Sequence, residues 1–422
     1  MHSVTNAIPT GTIASIPAKA HVHRALICAA LATSPSTILL SRTSKDIDAT
    51  MDSLRGLGAH VVYENKIVTV TPGPAPVKGN VVPHESGTTL RLLLPVAASI
   101  CNDVDVDAKG RLPDRPLEPM LGEMKAHGVT FSQDKPPFTM TGRLQGGQFS
   151  MVGDVSSQFF SGLLLAAPQI GLSTITSTTP LQSSDYVTLT TETMRDFGVE
   201  VEHTLPDTNI NEAFTVPFGA SFIGRDNYQI EGDWSNAAIW MVAAGMTGKP
   251  ITITGMNKNS VQADRRIMQV MIDAGCDVVW DGMNITVTGR ASKPIHADLE
   301  QMPDMLPVMA ALACSISGES SFINGARLRL KESDRLIAVA NLVRDLGGTV
   351  REEGDDLYII GSGILKGGHG DCVNDHRLVM AGTLMALISE NSVRLKDSEA
   401  ITKSYPDFFE DWNLLGGDAH GI

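Results

Sequence analysis

The chain has 422 residues, of which 42% are hydrophobic and 19% charged, and a formal net charge of −14. That length exceeds one ordinary core and predicts two or three domains, while the composition excludes a disordered or fibrous chain. A strongly acidic chain gains nothing from counterion release, which argues against nucleic acid as a partner and makes any local cluster of Lys and Arg informative.

Five cysteines occur, Cys28, Cys101, Cys276, Cys314 and Cys372, widely spaced and with no CxxC. This pattern predicts free, mostly buried thiols in a reducing compartment and no metal site. The first twenty residues lack a basic stretch followed by an apolar run, so no secretory signal is expected. No apolar run reaches the roughly 18–20 residues of a membrane span, so no membrane partner is expected.

Along the chain one phrase recurs: an amphipathic helix, a glycine, then two short strands around a turn. It spans residues 51–72, 120–142, 190–201, 267–289 and 336–361, with stops at Gly58, Gly128, Gly198, Gly275 and Gly347, which are 70, 70, 77 and 72 residues apart. Leu336, Val339, Ala340, Val343 and Leu346 recur at three and four residues, the spacing of one helix face. The glycine then ends the helix in a left-handed conformation. In the first copy the strands are expected at 60–63 and 66–71, with the turn at Glu64–Asn65.

A second helix lies between these phrases and is almost wholly apolar, at 25–32, 90–98, 159–167, 237–244, 305–313 and 378–387. A helix apolar all round is a buried one. The chain therefore reads as six small βα units of about 70 residues, in the range of repeat architectures. The longest gap, at 219–232, marks a domain boundary with three units on each side.

The mouths of the six buried helices are polar. They carry Lys19 and Arg24; Gly87, Thr88 and Arg91; Ser156, Ser157 and Gln158; Asp233 and Ser235; Asp304; and Asn374, Asp375, His376 and Arg377. Helix N-termini favour anions, so six such mouths facing one cleft would trap phosphates and carboxylates. Simple N-capping explains the Ser, Asp and Asn residues equally well. It does not explain Lys19, Arg24, Arg91 or Arg377, because cations oppose the dipole at that end; a ligand anion is the economical partner.

Three more segments carry charge. Arg327, Arg329 and Lys331 would share one face of a strand, either lining the site or forming a solvated edge; Glu332, Asp334 and Arg335 follow. Lys403 precedes Pro406-Asp407. The loop at 109–116 holds Arg111 and Arg115, stiffened by Pro113 and Pro116, and Arg suits two-pronged binding of phosphate or carboxylate.

These motifs together resemble the 3-phosphoshikimate 1-carboxyvinyltransferase family. They are Pro17-Ala18-Lys19 with Arg24; Glu85-Ser86-Gly87-Thr88-Thr89-Leu90-Arg91; the stretch 111–116; Val155-Ser156-Ser157-Gln158-Phe159; the stretch 183–186; Glu231-Gly232-Asp233; Pro303-Asp304; the stretch 327–335; Asn374-Asp375-His376-Arg377; and Lys403 with Pro406-Asp407. The resemblance implies an α/β fold of two inside-out barrel domains, each of three βαβαββ-type units, joined by a two-stranded hinge. It places residues 1–16 with 232–422 in one domain and 17–231 in the other.

The resemblance further implies transfer of the carboxyvinyl group of phosphoenolpyruvate to the 5-hydroxyl of shikimate 3-phosphate, with release of phosphate and without metal or cofactor. It implies a cytoplasmic monomer. Shikimate 3-phosphate would meet Lys19, Arg24, Ser156, Ser157, Gln158, Ser183, Tyr186, Asp304, Arg327 and Lys331. Phosphoenolpyruvate would meet Lys19, Gly87, Arg115, Gln158, Arg335, Arg377 and Lys403. Lys19, Asp304, Glu332 and Lys403 are the expected catalytic groups, with Asp304 as base for the hydroxyl and Glu332 carrying the proton at the vinyl carbon.

Three positions depart from the family pattern. Ala20 stands where a serine usually contacts the shikimate carboxylate, Glu85 where Asn is frequent, and Arg327 where Asn is frequent. His21 and His23 are the candidate substitutes for the missing hydroxyl. The nearest rival is the sister carboxyvinyltransferase acting on UDP-N-acetylglucosamine, which carries a cysteine in the loop that closes over phosphoenolpyruvate. The loop at 109–116 has none, and Cys101 lies too early. A non-catalytic anion-binding paralogue and an RNA-end-processing protein of similar repeats are the remaining readings; the acidic charge disfavours the latter.

Overall fold

The computed structural model describes residues 1–207 and 211–422. The chain forms two compact bodies, Pro17–Ile230 and Met1–Ile16 together with Glu231–Ile422. Each has its own contiguous apolar core.

The six repeats share one recipe. Each sheet has four strands, the first two parallel and the others antiparallel. Parallel neighbours cannot be joined by a tight turn and need a crossover, usually a helix. The buried helix is that crossover, as Gly87–Ile100 is between Gly79–Val81 and Asp103–Val106. The remaining five buried helices are Lys19–Ala30, Ser157–Ile170, Trp234–Thr247, Leu306–Ser315 and His376–Ala386. An amphipathic helix then leads to a hairpin that completes the sheet.

The strands that precede the first and fourth buried helices are exchanged. Gly11–Ala14 comes before the first buried helix in sequence but pairs with Ile251–Thr254, in the fourth repeat. Tyr228–Gln229 comes before the fourth buried helix but pairs with Ile38 and Leu39, in the first. The N-terminal strand His2–Val4 completes the sixth sheet, between Val393–Lys396 and Ala419–Gly421. The sixteen N-terminal residues thus contribute strands to two sheets of the body formed by the second half.

All five expected glycine stops adopt positive φ, from 87° at Gly347 to 104° at Gly58. Gly416, at φ 93°, is a sixth that periodicity missed, because its helix Phe408–Leu414 is short and its hairpin partner is the distant N-terminal strand. The first hairpin turn is corrected by one residue. Strands His60–Glu64 and Ile67–Thr71 enclose Asn65 and Lys66, both at positive φ, and Asn tolerates that conformation better than Glu.

The second and third buried helices pack closely at Gly162. A methyl group there would meet the Arg91 carbonyl oxygen at 2.5 Å and the Pro95 ring at 3.0 Å. Helix propensity favours Ala by about 1 kcal/mol, but overpacking costs about 1–3 kcal/mol. Gly162→Ala is therefore expected to lower the urea midpoint. An unchanged or raised midpoint would contradict the close packing.

Candidate functional site

In the Pro17–Ile230 body, Lys19 opens the first buried helix, and its Nζ lies 2.8 Å from Asp46 Oδ2. Asp46 sits in the first turn of Lys45–Gly56, which Ser44 caps. Arg24 is 1% exposed and donates to neutral acceptors: Nε to Thr190 Oγ1 (2.7 Å), Nη1 to the Ala20 carbonyl (2.7 Å), and Nη2 to Ser161 Oγ (3.2 Å) and the Tyr186 carbonyl (2.9 Å). Burial lowers its pKa to about 10.

The histidines beside Ala20 are already engaged. His21 Nε2 is 2.8 Å from Tyr228 Oη, which donates to Asp196, and His23 Nδ1 is 2.7 Å from Thr50 Oγ1. Burial, with the nearby cation of Arg24, pulls His21 down to about 4; burial, with Lys19 and Arg24, holds His23 well below the usual imidazole range. Both are neutral at physiological pH, so neither supplies a cation in place of the absent hydroxyl.

The second and third mouths are cross-linked. Gly87 begins its helix after the Ser86 cap, and a side chain there would collide with the guanidinium of Arg115, whose Cζ would lie at 2.9 Å. Arg91 donates to Gln158 Oε1 (3.2 Å) and to the Pro116 carbonyl (3.2 Å), while Gln158 Nε2 donates to Thr88 Oγ1 (2.9 Å). Ser156 caps the third helix by accepting from the Gln158 amide at 3.3 Å. Capping uses the acceptor side of that hydroxyl and leaves its proton to donate, so the capping and binding readings are compatible. Ser157 is the first residue of that helix and is buried; Ser183 is buried at φ 54°. Tyr186 reaches the first mouth through its carbonyl bond to Arg24.

In the other body Arg335, 1% exposed, is a hub. Its Nε donates to Asp375 Oδ2 (2.9 Å), Nη1 to Asp304 Oδ1 (2.7 Å), and Nη2 to Glu332 Oε2 (2.6 Å) and Asp375 Oδ1 (3.2 Å). Asp375 also caps the sixth buried helix through the Arg377 amide (3.0 Å) and accepts from the Ser333 hydroxyl (3.0 Å). Removing one partner of such a buried pair strands a charge, at a cost of about 3–5 kcal/mol.

Asp304 has two further cations, Lys331 Nζ at 3.1 Å and Arg377 Nη2 at 3.7 Å. Burial would raise its carboxyl, but Lys331, Arg377 and Arg335 outweigh burial and hold it well below the usual range. Lys331 is lowered, chiefly by burial, with Arg327 and Arg335 adding to the effect and Asp304 opposing it. Lys403, at the end of the 3-10 helix Ser398–Lys403, donates to the Asn374 carbonyl at 2.8 Å.

Two expectations are corrected. Arg327, Arg329 and Lys331 do not share a strand face: residues Ala326–Leu330 form a 3-10 helix. Arg329 turns away to Asp355, Asp334 and the Gly354 carbonyl, whereas Arg327 stays close enough to Lys331 to lower its pKa. Nor do the mouth cations wait only for a ligand. The chain supplies Asp46 for Lys19, Asp304 for Arg377, and neutral acceptors for Arg24 and Arg91. A buried cation must be solvated by something, and these acceptors lie too far apart in sequence to be foreseen.

Within one body the structure gathers Gly87, Arg115, Ser156, Ser157 and Gln158 around linked mouths, with Lys19, Arg24 and Tyr186 around the first helix. Within the other it gathers Asp304, Lys331, Glu332, Arg335 and Arg377, with Lys403 joined to the residue preceding the Asp375 cap. Asp46 was missed; it carries no local signal and looks like an ordinary first-turn acid.

A family model described as EPSP synthase (3-phosphoshikimate 1-carboxyvinyltransferase) matches residues 7–412. A curated 3-phosphoshikimate 1-carboxyvinyltransferase of Clostridium kluyveri is 36% identical over 97% of this chain and 95% of its own length. One of Pyrococcus abyssi is 34% identical over 95% of this chain and 94% of its own. The solved EPSP synthase of Acinetobacter baumannii has the same fold, with a TM-score of 0.80 at 23% identity, covering 100% of this chain and 99% of that one. The chain belongs to the EPSP synthase (3-phosphoshikimate 1-carboxyvinyltransferase) family.

Proposed function

We propose that this chain transfers the carboxyvinyl group of phosphoenolpyruvate to the 5-hydroxyl of shikimate 3-phosphate and releases phosphate. The observation that carries this reading is the Arg335 hub, where two carboxylates, Asp304 and Glu332, share one guanidinium flanked by Lys331 and Arg377. Two proton carriers set among cations are what addition followed by elimination needs.

In the addition step, Asp304 accepts the hydroxyl proton as the substrate oxygen bonds to the central carbon of phosphoenolpyruvate. Glu332 delivers a proton to the terminal carbon, giving a methyl group and a tetrahedral intermediate. In elimination the methyl group returns a proton to Glu332, the carbon–oxygen bond to phosphate breaks, and the departing phosphate takes the proton held by Asp304, so both carboxyls regain their starting forms. Lys19 and Lys403 offset the charge that gathers on the phosphoenolpyruvate oxygens. Shikimate 3-phosphate is held by Lys19, Arg24, Ser156, Ser157, Gln158, Ser183, Tyr186, Arg327 and Lys331, and phosphoenolpyruvate by Lys19, Gly87, Arg115, Gln158, Arg335, Arg377 and Lys403.

A carboxylate held as low as Asp304 is a poor base. Anions arriving at Arg335, Arg377 and Lys331 draw those cations toward themselves and raise its proton affinity. The base is therefore armed by its own substrates.

The exchanged strands support domains of 1–16 with 232–422 and 17–231, joined by a two-stranded hinge, and the six repeats support inside-out barrels. The enzyme acts as a cytoplasmic monomer on these two small molecules, with no cofactor or metal and no nucleic-acid or membrane partner. The UDP-N-acetylglucosamine reading is disfavoured by the cysteine-free loop at 109–116.

A coupled phosphate-release assay with both substrates tests this function. Turnover is expected with shikimate 3-phosphate and not with UDP-N-acetylglucosamine; binding of both anions without phosphate release would overturn it. Asp304→Asn is expected to lower kcat by about 10²–10⁴-fold, the usual range for a general base, and a smaller loss would remove Asp304 from that role. Gly87→Ala displaces Arg115 and is expected to raise KM for phosphoenolpyruvate by about tenfold or more, the loss of one charge-assisted bond of ~1.5–3 kcal/mol. Steady-state kinetics should show KM for shikimate 3-phosphate little changed. Ala20→Ser restores a hydroxyl donor and is expected to lower KM for shikimate 3-phosphate by about tenfold; an unchanged KM would show that this position touches no substrate.

A further inference from the structure

The helix mouths mark one end of the Pro17–Ile230 body, and a cavity of about 370 Å³ opens at the other end. Leu54, Leu57 and Val96 are buried and line it. Ala30 and Ala32 join them where the first buried helix ends, and Ile100 where the second ends. The second buried helix has 14 residues, so its mouth and this cavity lie about 20 Å apart at ~1.5 Å per residue.

Two walls of the cavity are fixed before any ligand arrives. One is the segment Pro72-Gly73-Pro74-Ala75-Pro76, of which Pro72, Gly73 and Ala75 face the cavity. Its prolines restrict the backbone, and it lies hard against the Gly58 stop, where a methyl group would collide with the Pro74 carbonyl. The other wall is the loop after Phe138–Thr141. The Gly142 amide donates to the Asn102 carbonyl (2.9 Å) and the Leu144 amide to the Ala98 carbonyl (3.0 Å), which fixes the backbone on both sides of Arg143.

Arg143 is the one charged side chain among the described residues that line the cavity. Its Nη1 donates to the Ile100 carbonyl at 2.8 Å. A cation on the last carbonyls of a helix is expected there for stability alone. That bond uses one of the five guanidinium N–H groups, and the rest of the fork has the shape that takes a carboxylate. Gln169, exposed at the end of the third buried helix, adds a neutral amide to the same lining. Preformed walls, an apolar lining and a few polar groups are the make-up of a small-molecule site, and the volume falls in the usual range.

We propose that this cavity is a second small-molecule site, for a monocarboxylate whose apolar body has the bulk of one ring. The body lies against the aliphatic lining and the carboxylate pairs with Arg143. One cation balances one negative charge, which favours a carboxylate over a phosphate dianion. A polyhydroxylated acid would leave its hydroxyls without partners against Leu54, Leu57 and Val96. The inference goes beyond the reaction proposed above and does not depend on it.

The test is methyl NMR of the full-length protein, labelled at alanine, leucine, valine and isoleucine methyls. Shikimate 3-phosphate and inorganic phosphate are present in excess, so that the cations at the mouths are occupied. The probe is 3-phenylpropionate, and 2-phenylethylamine carries the same ring with the opposite charge. Saturable shifts at the methyls of Leu57, Ala59 and Ala75 are expected with the acid and not with the amine. Arg143→Gln keeps an amide donor for the Ile100 carbonyl but loses the charge, and is expected to weaken binding by about tenfold or more. Ala75→Trp, at an exposed loop position, narrows the cavity and should abolish the shifts. Thermal melting checks that each variant is folded; if one is not, the other decides alone. No saturable shift, shifts centred instead on Ala18 and Ala20 at the first mouth, equal binding of the amine, or an affinity unchanged in the folded variants would overturn the proposal.

Discussion

Arg335 is 1% exposed, and a guanidinium so placed cannot rely on water. Three carboxylates satisfy it: Asp375 from the cap of the sixth buried helix, Asp304 from the mouth of the fifth, and Glu332 from the segment just before its own helix. Once those are in place, much else in that body follows. The fifth and sixth helix mouths are held to one point. Asp304 must sit among cations, and Glu332 must face the same guanidinium. Replacing Asp375 with an apolar residue would therefore disturb binding groups that it never touches.

The body formed by Pro17–Ile230 meets the same problem with neutral acceptors at Arg24 and Arg91. Arg24 and Arg91 donate to hydroxyls, carbonyls and a side-chain amide, and Lys19 pairs with Asp46 nearby. Neutral acceptors hold a cation in place without cancelling its field, which suits a site that must attract an anion. The first body thus supplies fixed cations, and the second supplies cations already mixed with the groups that move protons. The proposed reaction needs both.

Much of the fold was legible because its signals are periodic. Glycine stops near 70-residue spacing and wholly apolar helices encode a repeated unit, and both survive in a single sequence. What could not be read was the pairing of segments far apart in the chain: the exchange of Gly11–Ala14 with Tyr228–Gln229, and the use of His2–Val4 to finish the sixth sheet. The segment from Arg327 to Lys331 misled for a local reason. Alternating Arg and Leu reads as a strand, but after Gly325 it coils as a 3-10 helix whose buried Leu328 plugs the core. For the site, residue types and order pointed to the cationic mouths. The partner of Lys19, Asp46, is placed by the fold and leaves no mark nearby in sequence.

We propose that Asp304 is kept ionised and weakly basic by its cations and becomes a usable base only as substrates take those cations over. Carbon-13 NMR of protein labelled at aspartate carboxyls, with Asp304→Asn to assign the signal, measures this directly. The free protein is compared with protein saturated by shikimate 3-phosphate and inorganic phosphate, a pair that cannot turn over. Asp304 is expected to titrate well below an ordinary carboxyl in the free protein, and its titration is expected to move upward in the complex. An ordinary titration in the free protein, or the same titration in both states, would contradict it.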